Sequence, residues 1–167
     1  MLLSASIFKT GGLHLKTIAS FTVNHDKLEK GMYISRIDGD VVTYDIRMRK
    51  PNAGDYLSNG AMHTFEHLFA TYARNSEYSD AVIYIGPMGC RTGFYLLLRS
   101  SISHKDAIDL VRKSFAFIAR FQGEIPGSKR HECGNYLEHD LAGAKAVAED
   151  MLAVLDGWTE ENLQYQE

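Results

Sequence analysis

The sequence predicts an α+β fold: a single domain in which a mostly antiparallel sheet is covered by helices on one side. Residues 41–49 alternate between apolar and polar side chains, which is typical of a strand with one buried face. The Asp38-Gly39 pair joins this run to a second strand-like run over 31–37 and favours an antiparallel hairpin. Strand-like runs also follow one another without a helix between every pair, which favours α+β over a parallel α/β arrangement.

The spacing of apolar residues assigns the other segments to helices and strands. After the turn-rich residues 51–55, apolar side chains recur at helical spacing, so Ser58 or Asn59 is expected to cap a helix that ends near Arg74. Ser103 is expected to cap a second helix. The remaining predicted elements are strands over 81–85 and 94–98 and helices over 105–120 and 140–155.

Length and composition indicate one globular domain that acts on a small molecule. The 167 residues are 45% hydrophobic and 23% charged, and no apolar run approaches the roughly 18 residues of a membrane span. The formal net charge is -3 and the basic residues do not cluster, so we expect neither a nucleic-acid nor a membrane partner. The start of the chain lacks the basic and long apolar parts of a secretion signal, so we expect a cytoplasmic protein.

One predicted helix carries side chains that suit a metal site. His63 and His67 are four residues apart, so their imidazoles share a helix face and can bind one ion. Glu66 completes the order His-x-x-Glu-His, the inverted zinc motif, in which the glutamate is a general base rather than a ligand. The same pattern also fits two exposed or core histidines beside a solvated glutamate.

Catalytic metal sites usually have a third protein ligand, for which Cys133 is the leading candidate. It lies in the irregular segment 123–134, and a thiolate beside two imidazoles suits zinc or ferrous iron. His131 and His139 are rival ligands, and an inert buried thiol is the alternative. Cys90 is the only other cysteine, so one disulfide between the two also remains open.

Cys90 itself lies in a glycine-rich stretch, 86–93, between two predicted strands. Small residues there let the backbone turn tightly and bring a side chain close to a ligand. Arg91, or another nearby cation, would favour the thiolate form of the cysteine. An ordinary turn is the alternative, and a phosphate loop is excluded because its lysine and helix start are missing.

Together these motifs resemble the S-ribosylhomocysteine lyase family. The resemblance rests on residues 63–68 (HTFEHL), 87–95 (PMGCRTGFY) and 133–134 (CG), in that order. Shorter stretches at 20–25 (SFTVNH), 45–47 (DIR), 51–52 (PN) and 139–145 (HDLAGAK) extend it over about residues 18–155.

The resemblance implies an enzyme that splits S-ribosylhomocysteine into homocysteine and 4,5-dihydroxy-2,3-pentanedione, the precursor of autoinducer-2. The sugar carbonyl migrates along the ribose with the help of a metal, and β-elimination then releases homocysteine. His63, His67 and Cys133 would bind one Fe(2+) per subunit, which zinc or cobalt could replace. Cys90 and Glu66 would move the protons.

The resemblance also implies a homodimer with two active sites at the interface. Ser20, Phe21, His25 and Arg47 would there bind the substrate held at the metal of the other subunit. The alternative for Arg47 is a solvated strand face, and for His25 a loop histidine. The chain departs from the family at Tyr84, six positions before Cys90, where an acidic residue is usual, so substrate recognition could differ in detail.

The domain boundaries follow from the same resemblance. Residues 1–17 are expected to form an N-terminal extension, which the Gly11-Gly12 pair suggests is flexible, and residues 18–167 the lyase domain. We assign no function to the extension.

Two other function classes fit parts of the pattern. A metallohydrolase would use Glu66 to activate water on the ion, but such inverted-motif peptidases resemble larger clamps that recruit a downstream glutamate as third ligand. A non-enzymatic metal-binding module would have no use for a reactive Cys90. Replacing Cys90 should therefore abolish lyase activity but leave a hydrolase largely unaffected.

Overall fold

The computed structural model describes residues 7–10, 13–18 and 21–166, and for residues 7–10, 13 and 14 the backbone only. These residues form the strands β1 (Ile7–Thr10), β2 (Leu13–Lys16), β3 (Gly31–Asp38), β4 (Val41–Arg47), β5 (Val82–Pro87) and β6 (Gly93–Arg99). They also form the helices α1 (Asn59–Arg74), α2 (His104–Arg120) and α3 (Leu141–Val154). Short 3-10 turns span Ser79–Ala81 and Glu160–Leu163.

The central sheet has four antiparallel strands in the order β3-β4-β6-β5, whereas β1 and β2 pair only with each other. The predicted hairpin of β3 and β4 is confirmed, but its turn is Gly39-Asp40, one residue later than expected. Gly39 has a φ of 60°, in the left-handed region that glycine enters without steric cost. The turn therefore forms around the glycine, and Asp38 extends β3.

Each helix begins at a side chain that accepts a hydrogen bond from an otherwise unpaired backbone N–H. Ser58 accepts from the amide of Ala61 and Ser103 from that of Asp106, as the sequence predicts. Asp140 accepts from the amide of Gly143, so it is the cap of α3 and not its first residue. Such caps each stabilise a helix by about 1 kcal/mol.

One face of the sheet packs against the helices. Alternate β4 residues, Val42, Tyr44 and Ile46, are at most 4% exposed and share a continuous apolar core with helix residues such as Phe65 and Phe115. All three helices contribute buried apolar residues to this core. The predicted single α+β domain with an antiparallel sheet is thus confirmed.

The opposite face of β4 differs from the solvated polar face that the alternation predicts. Asp45 and Arg47 are each only 2% exposed. They form an ion pair with each other, and Tyr165, which follows the last 3-10 turn, lies over them with its ring stacked on Tyr33 at 5.1 Å. Two adjacent charges of opposite sign can be buried there because each neutralises the other.

The N-terminal hairpin of β1 and β2 is a structural feature that the sequence analysis did not predict. The Gly11-Gly12 pair on which the expected flexibility rests lies outside the described residues, as does Ser20. Both cysteines are free, so the alternative of a disulfide between them is wrong. Among the described residues there is no helix with the length and apolar character to cross a bilayer.

Candidate active site

Helix α1 carries the two histidines of the predicted metal site. Its cap at Ser58 sets the start of the helix, so His63 and His67 lie one turn apart on the same face. Their rings meet edge to face with centroids 4.7 Å apart. Buried apolar residues on the other side of the helix, Phe65 and Phe69 among them, fix its rotation and turn the histidines away from the core.

Backbone carbonyls orient both imidazoles. Nδ1 of His63 donates to the carbonyl oxygen of Glu138 at 2.8 Å, and Nδ1 of His67 donates to that of Pro126 at 2.8 Å. Because a carbonyl oxygen only accepts, the proton of each neutral ring is on Nδ1, and the Nε2 lone pair is available. Such an outer hydrogen bond is what most metal-binding histidines have.

Cys133 faces both free nitrogens. Its Sγ lies 3.3 Å from Nε2 of His63 and 3.9 Å from Nε2 of His67. The sulfur also accepts from the backbone N–H of Asn135 at 3.4 Å. The loop before α3 thus brings a half-buried thiol to the two histidines.

His139 joins this group, and His131 does not. One ligand atom from each of His63, His67, Cys133 and His139 lies within 4.8 Å of every other. The His139 ring stacks on that of His63 at 4.2 Å, its Nδ1 is 3.1 Å from the hydroxyl of Thr64, and its buried Nε2 has no partner in the described part of the chain. Burial, together with the two other imidazoles, lowers the pKa of His139, which keeps its ring neutral.

The rival candidate His131 has a mostly exposed side chain 3.7 Å from the carboxylate of Glu132. The group that is brought together offers imidazole nitrogens and one thiolate, which suits zinc or ferrous iron and not magnesium or calcium. These residues therefore fit the metal that the motif predicts.

Glu66 is the half-buried neighbour of this group. It lines a pocket with His67, Ile85 and Pro126. No ion pair or hydrogen bond of its carboxylate is present among the described residues, and it is not part of the metal group.

Cys90 lies at the tip of the β5-β6 hairpin and is exposed. Its Sγ is 3.0 Å from the hydroxyl oxygen of Thr92 and 3.9 Å from Nη1 of Arg47. The register of β4 and β6, which pairs Arg47 with Gly93, brings the guanidinium to this tip. A Cβ at Gly93 would clash with the carbonyl oxygen of Ile46, so this close approach requires glycine.

The guanidinium that faces the thiol is that of Arg47, whereas the guanidinium of Arg91 lies over another side chain. Arg47 is held by Asp45 at 2.6 Å and by Thr92 at 2.5 Å. Burial opposes its charge, but the Asp45 carboxylate more than compensates, and the pKa of Arg47 is raised. Arg91 has a left-handed φ of 59°, and its guanidinium lies over the ring of Tyr56.

The predicted substrate-binding residues have different surroundings. His25 lines one pocket with Cys90, Asn52 and Tyr56, and its Nδ1 is held by the carbonyl oxygen of Val23 at 2.9 Å. Phe21 has 72% of its surface exposed. Arg47 is buried, so the alternative of a solvated strand face is wrong for it.

Cys90 and the metal group open into different pockets of the chain. The pocket with Cys90 and His25 shares no lining residue with the pocket of Glu66 and His67. Two large apolar side chains are also exposed: Phe21, four positions before His25 in the chain, and Leu137, at 80% exposure, in the loop between Cys133 and His139. Exposed apolar side chains of this size are common where another surface packs.

Comparison with known proteins gives one consistent result. The family model described as S-ribosylhomocysteinase (LuxS) matches residues 18–162. Proteins named S-ribosylhomocysteine lyase are similar to the chain in Phocaeicola vulgatus, at 48% identity over 90% of this chain and 98% of that protein, and in Clostridium acetobutylicum, at 46% over 92% and 100%. The protein of that name in Porphyromonas gingivalis is 47% identical over 90% of this chain and 99% of its own length.

The match covers every residue of the metal group, Glu66, Cys90 and Arg47, and ends just before Tyr165. The resemblance inferred from the motifs is thereby confirmed, and the chain belongs to the S-ribosylhomocysteinase (LuxS) family.

Proposed function

We propose that this protein is a metal-dependent S-ribosylhomocysteine lyase, which forms homocysteine and 4,5-dihydroxy-2,3-pentanedione. The observation that carries the proposal is the convergence of two oriented imidazoles and the Cys133 thiol, together with a second, unligated thiol at Cys90. A hydrolase would need the first feature but not the second. The names of the relatives support the same reaction.

His63, His67 and Cys133 would hold the ion, which we propose is Fe(2+) in each subunit, with zinc or cobalt as substitutes. When bound, the ion supplies Lewis acidity that makes the C–H protons next to a sugar carbonyl easier to remove. His139 lies in the same group, and its buried Nε2, which has no partner among the described residues, would be a further polar atom there.

Cys90 would act as the base that removes and returns protons on the sugar carbons. Arg47 and Thr92 favour its thiolate form, because a cation and a hydroxyl donor both stabilise negative sulfur. Successive proton transfers move the carbonyl from C1 to C3. Removal of the C4 proton then breaks the C5–S bond, and homocysteine leaves as the thiolate.

Glu66 would exchange protons with the sugar oxygens and with the leaving sulfur. It lies one residue before His67 on the same helix and has no competing partner in the described chain. Its half-buried position lets it contact a substrate oxygen while it remains accessible from the pocket.

We further propose that the enzyme is a homodimer whose active sites combine residues of two chains. Ser20, Phe21, His25 and Arg47 of one chain would bind the substrate at the metal of the other. Cys90 shares a pocket with His25 and is 3.9 Å from Arg47, so it would reach the substrate from that same chain. The exposure of two large apolar side chains, Phe21 and Leu137, supports the presence of an interface.

Three finer proposals complete the assignment. Residues 18–167 would form the lyase domain and residues 1–17 an N-terminal extension without assigned function. Tyr84, 52% exposed, would contact the substrate or the partner chain where the family usually has an acid. We place the reaction in the cytoplasm, where a catalytic thiol and ferrous iron stay reduced.

Release of free thiol from S-ribosylhomocysteine tests the proposed activity. We expect iron-loaded protein, incubated anaerobically, to release one homocysteine per substrate consumed, measured with a chromogenic disulfide reagent. A family member of known activity in a parallel reaction is the control. Absence of thiol release in the presence of a working control would contradict the proposed activity.

A further inference from the structure

Tyr165 is the outermost member of a chain of contacts that ends at Cys90. Its hydroxyl donates to Oδ2 of Asp45 at 2.9 Å, and the same oxygen accepts from Nη2 of Arg47 at 2.6 Å. The other guanidinium nitrogen, Nη1, donates to Thr92 at 2.5 Å and faces the sulfur of Cys90 at 3.9 Å. Tyr165 lies beyond the residues that the family model matches.

The position of Tyr165 is fixed by packing as well as by this hydrogen bond. Its ring stacks on Tyr33 with a 25° angle between the planes, and Tyr33 meets Trp158 edge to face at 5.9 Å. Leu163, two residues before it, is fully buried in the core. Burial, with the charge of Asp45, raises the pKa of Tyr165 well above its usual value, so the hydroxyl keeps its proton and donates.

The Asp45 carboxylate depends on this donor. Its side chain is 3% exposed, and its second oxygen, Oδ1, is buried with no hydrogen-bond partner among the described residues. Oδ2 therefore carries all of the hydrogen bonds described for the carboxylate, one from Arg47 and one from Tyr165. Without the hydroxyl, the guanidinium of Arg47 is the one hydrogen-bond donor that remains for the carboxylate among the described residues.

From these contacts we infer that Tyr165 is a positioning residue that acts on Arg47 through Asp45. It keeps Nη2 of Arg47 bound to the Asp45 carboxylate and Nη1 facing Cys90. Loss of the Tyr165 hydroxyl is expected to destabilise the Cys90 thiolate in two ways. More negative charge stays unneutralised on Asp45, and the guanidinium is free to turn both nitrogens towards it. Both effects disfavour the Cys90 thiolate.

Other charged or titratable groups also surround the thiol and stay unchanged in the test. His25, Tyr56 and Arg91 line the pocket with Cys90, and Tyr95 lies close enough to Cys90 for their charges to interact. None of them is bonded to Tyr165. A change confined to a Tyr165 variant therefore acts through Asp45 and Arg47.

The test is the rate at which iodoacetamide alkylates Cys90 in Tyr165→Phe, followed over a range of pH by mass spectrometry of the Cys90 peptide. We expect alkylation at neutral pH to fall about threefold to tenfold, which is less than a lost hydrogen bond to a charged group costs directly, because the effect reaches the thiol through Asp45 and Arg47. The pH–rate curve should move to higher pH. The matched control is Tyr33→Phe, since the Tyr33 hydroxyl belongs to the same ring cluster but, within the described chain, donates only to backbone carbonyls.

The Tyr165→Phe chain keeps the stacked ring, and its thermal unfolding checks that it is folded. Alkylation as fast as in the unaltered protein, or equal slowing in Tyr33→Phe, would overturn the inference. The role of Tyr165 bears on catalysis only if Cys90 has its proposed function, but alkylation of Cys90 can be measured without turnover. Its outcome is therefore independent of whether the lyase proposal holds.

Discussion

Replacement of Cys133 by alanine is expected to abolish metal binding and thiol release together. The sulfur faces both Nε2 atoms of His63 and His67, and without it the group has imidazoles alone. Loss of outer-shell partners already weakens metal binding by about tenfold to a hundredfold, so loss of a ligand should weaken it by more than about a hundredfold. Metal content after gel filtration against a weak chelator measures this.

The matched control is Cys90→Ala, which removes the other thiol of the chain and leaves the metal group intact. It should retain one ion per subunit under the same conditions. A Cys133→Ala protein that still binds one ion per subunit would mean that His63, His67 and His139 suffice and that Cys133 is not a ligand.

Cys90→Ala is the second change for which a large effect is expected, in this case without loss of metal. Thiol release should fall on the order of a hundredfold to ten-thousandfold, the usual range for removing a general acid or base. The physical reason is that no other thiol, amine or carboxylate lies within hydrogen-bond distance of the position of Cys90 Sγ in the described chain. Arg47 and Thr92 remain there, but a guanidinium is a poor base.

This experiment also separates the proposed lyase from a metallohydrolase. Cys90→Ser serves as a conservative companion, since it keeps the contact with Thr92 but supplies a hydroxyl instead of a thiol. Thiol release by both variants at the rate of the unaltered protein would show that Glu66 alone moves the protons.

The elements of the fold could largely be predicted from the sequence because local rules and packing agree. Local patterns correctly predict three elements. Alternation predicts β4, the cap at Ser58 and the apolar spacing predict α1, and the cap at Ser103 predicts α2. The turn of the β3-β4 hairpin shifts by one residue, since a left-handed glycine decides it, and the pair of β1 and β2 was not predicted. The strand order depends on long-range pairing and has no local signal in the sequence.

The candidate site could be predicted in its chemistry but not in its geometry. The spacing of His63 and His67 places both on one face of a helix, and motif resemblance selects Cys133. Neither spacing nor composition shows that His139 joins the group and that His131 does not, because the loop between Cys133 and α3 decides this.

The burial of Asp45 and Arg47 is a second feature with no local signal. An alternating strand predicts that its polar face is solvated, and Tyr165, more than a hundred positions later in the chain, covers that face instead. The guanidinium that faces Cys90 is consequently that of Arg47, while the guanidinium of Arg91 lies over the ring of Tyr56.

Mixed dimers test most directly the claim that one active site takes its metal group from one chain and Cys90 from the other. Two inactive chains, His63→Ala and Cys90→Ala, are co-expressed with different tags, and the heterodimer is isolated by both tags and loaded with iron. In this heterodimer, the intact metal group of one chain meets the intact Cys90 of the other at one of the two sites. The control heterodimer pairs His63→Ala with Cys133→Ala, in which both metal groups are damaged.

Thiol release from S-ribosylhomocysteine is then compared with that of the unaltered protein. We predict about half of its activity for the His63→Ala/Cys90→Ala heterodimer, since one of two symmetric sites is complete, and none for the control. An isolated heterodimer that binds iron but releases no thiol would contradict the shared active site.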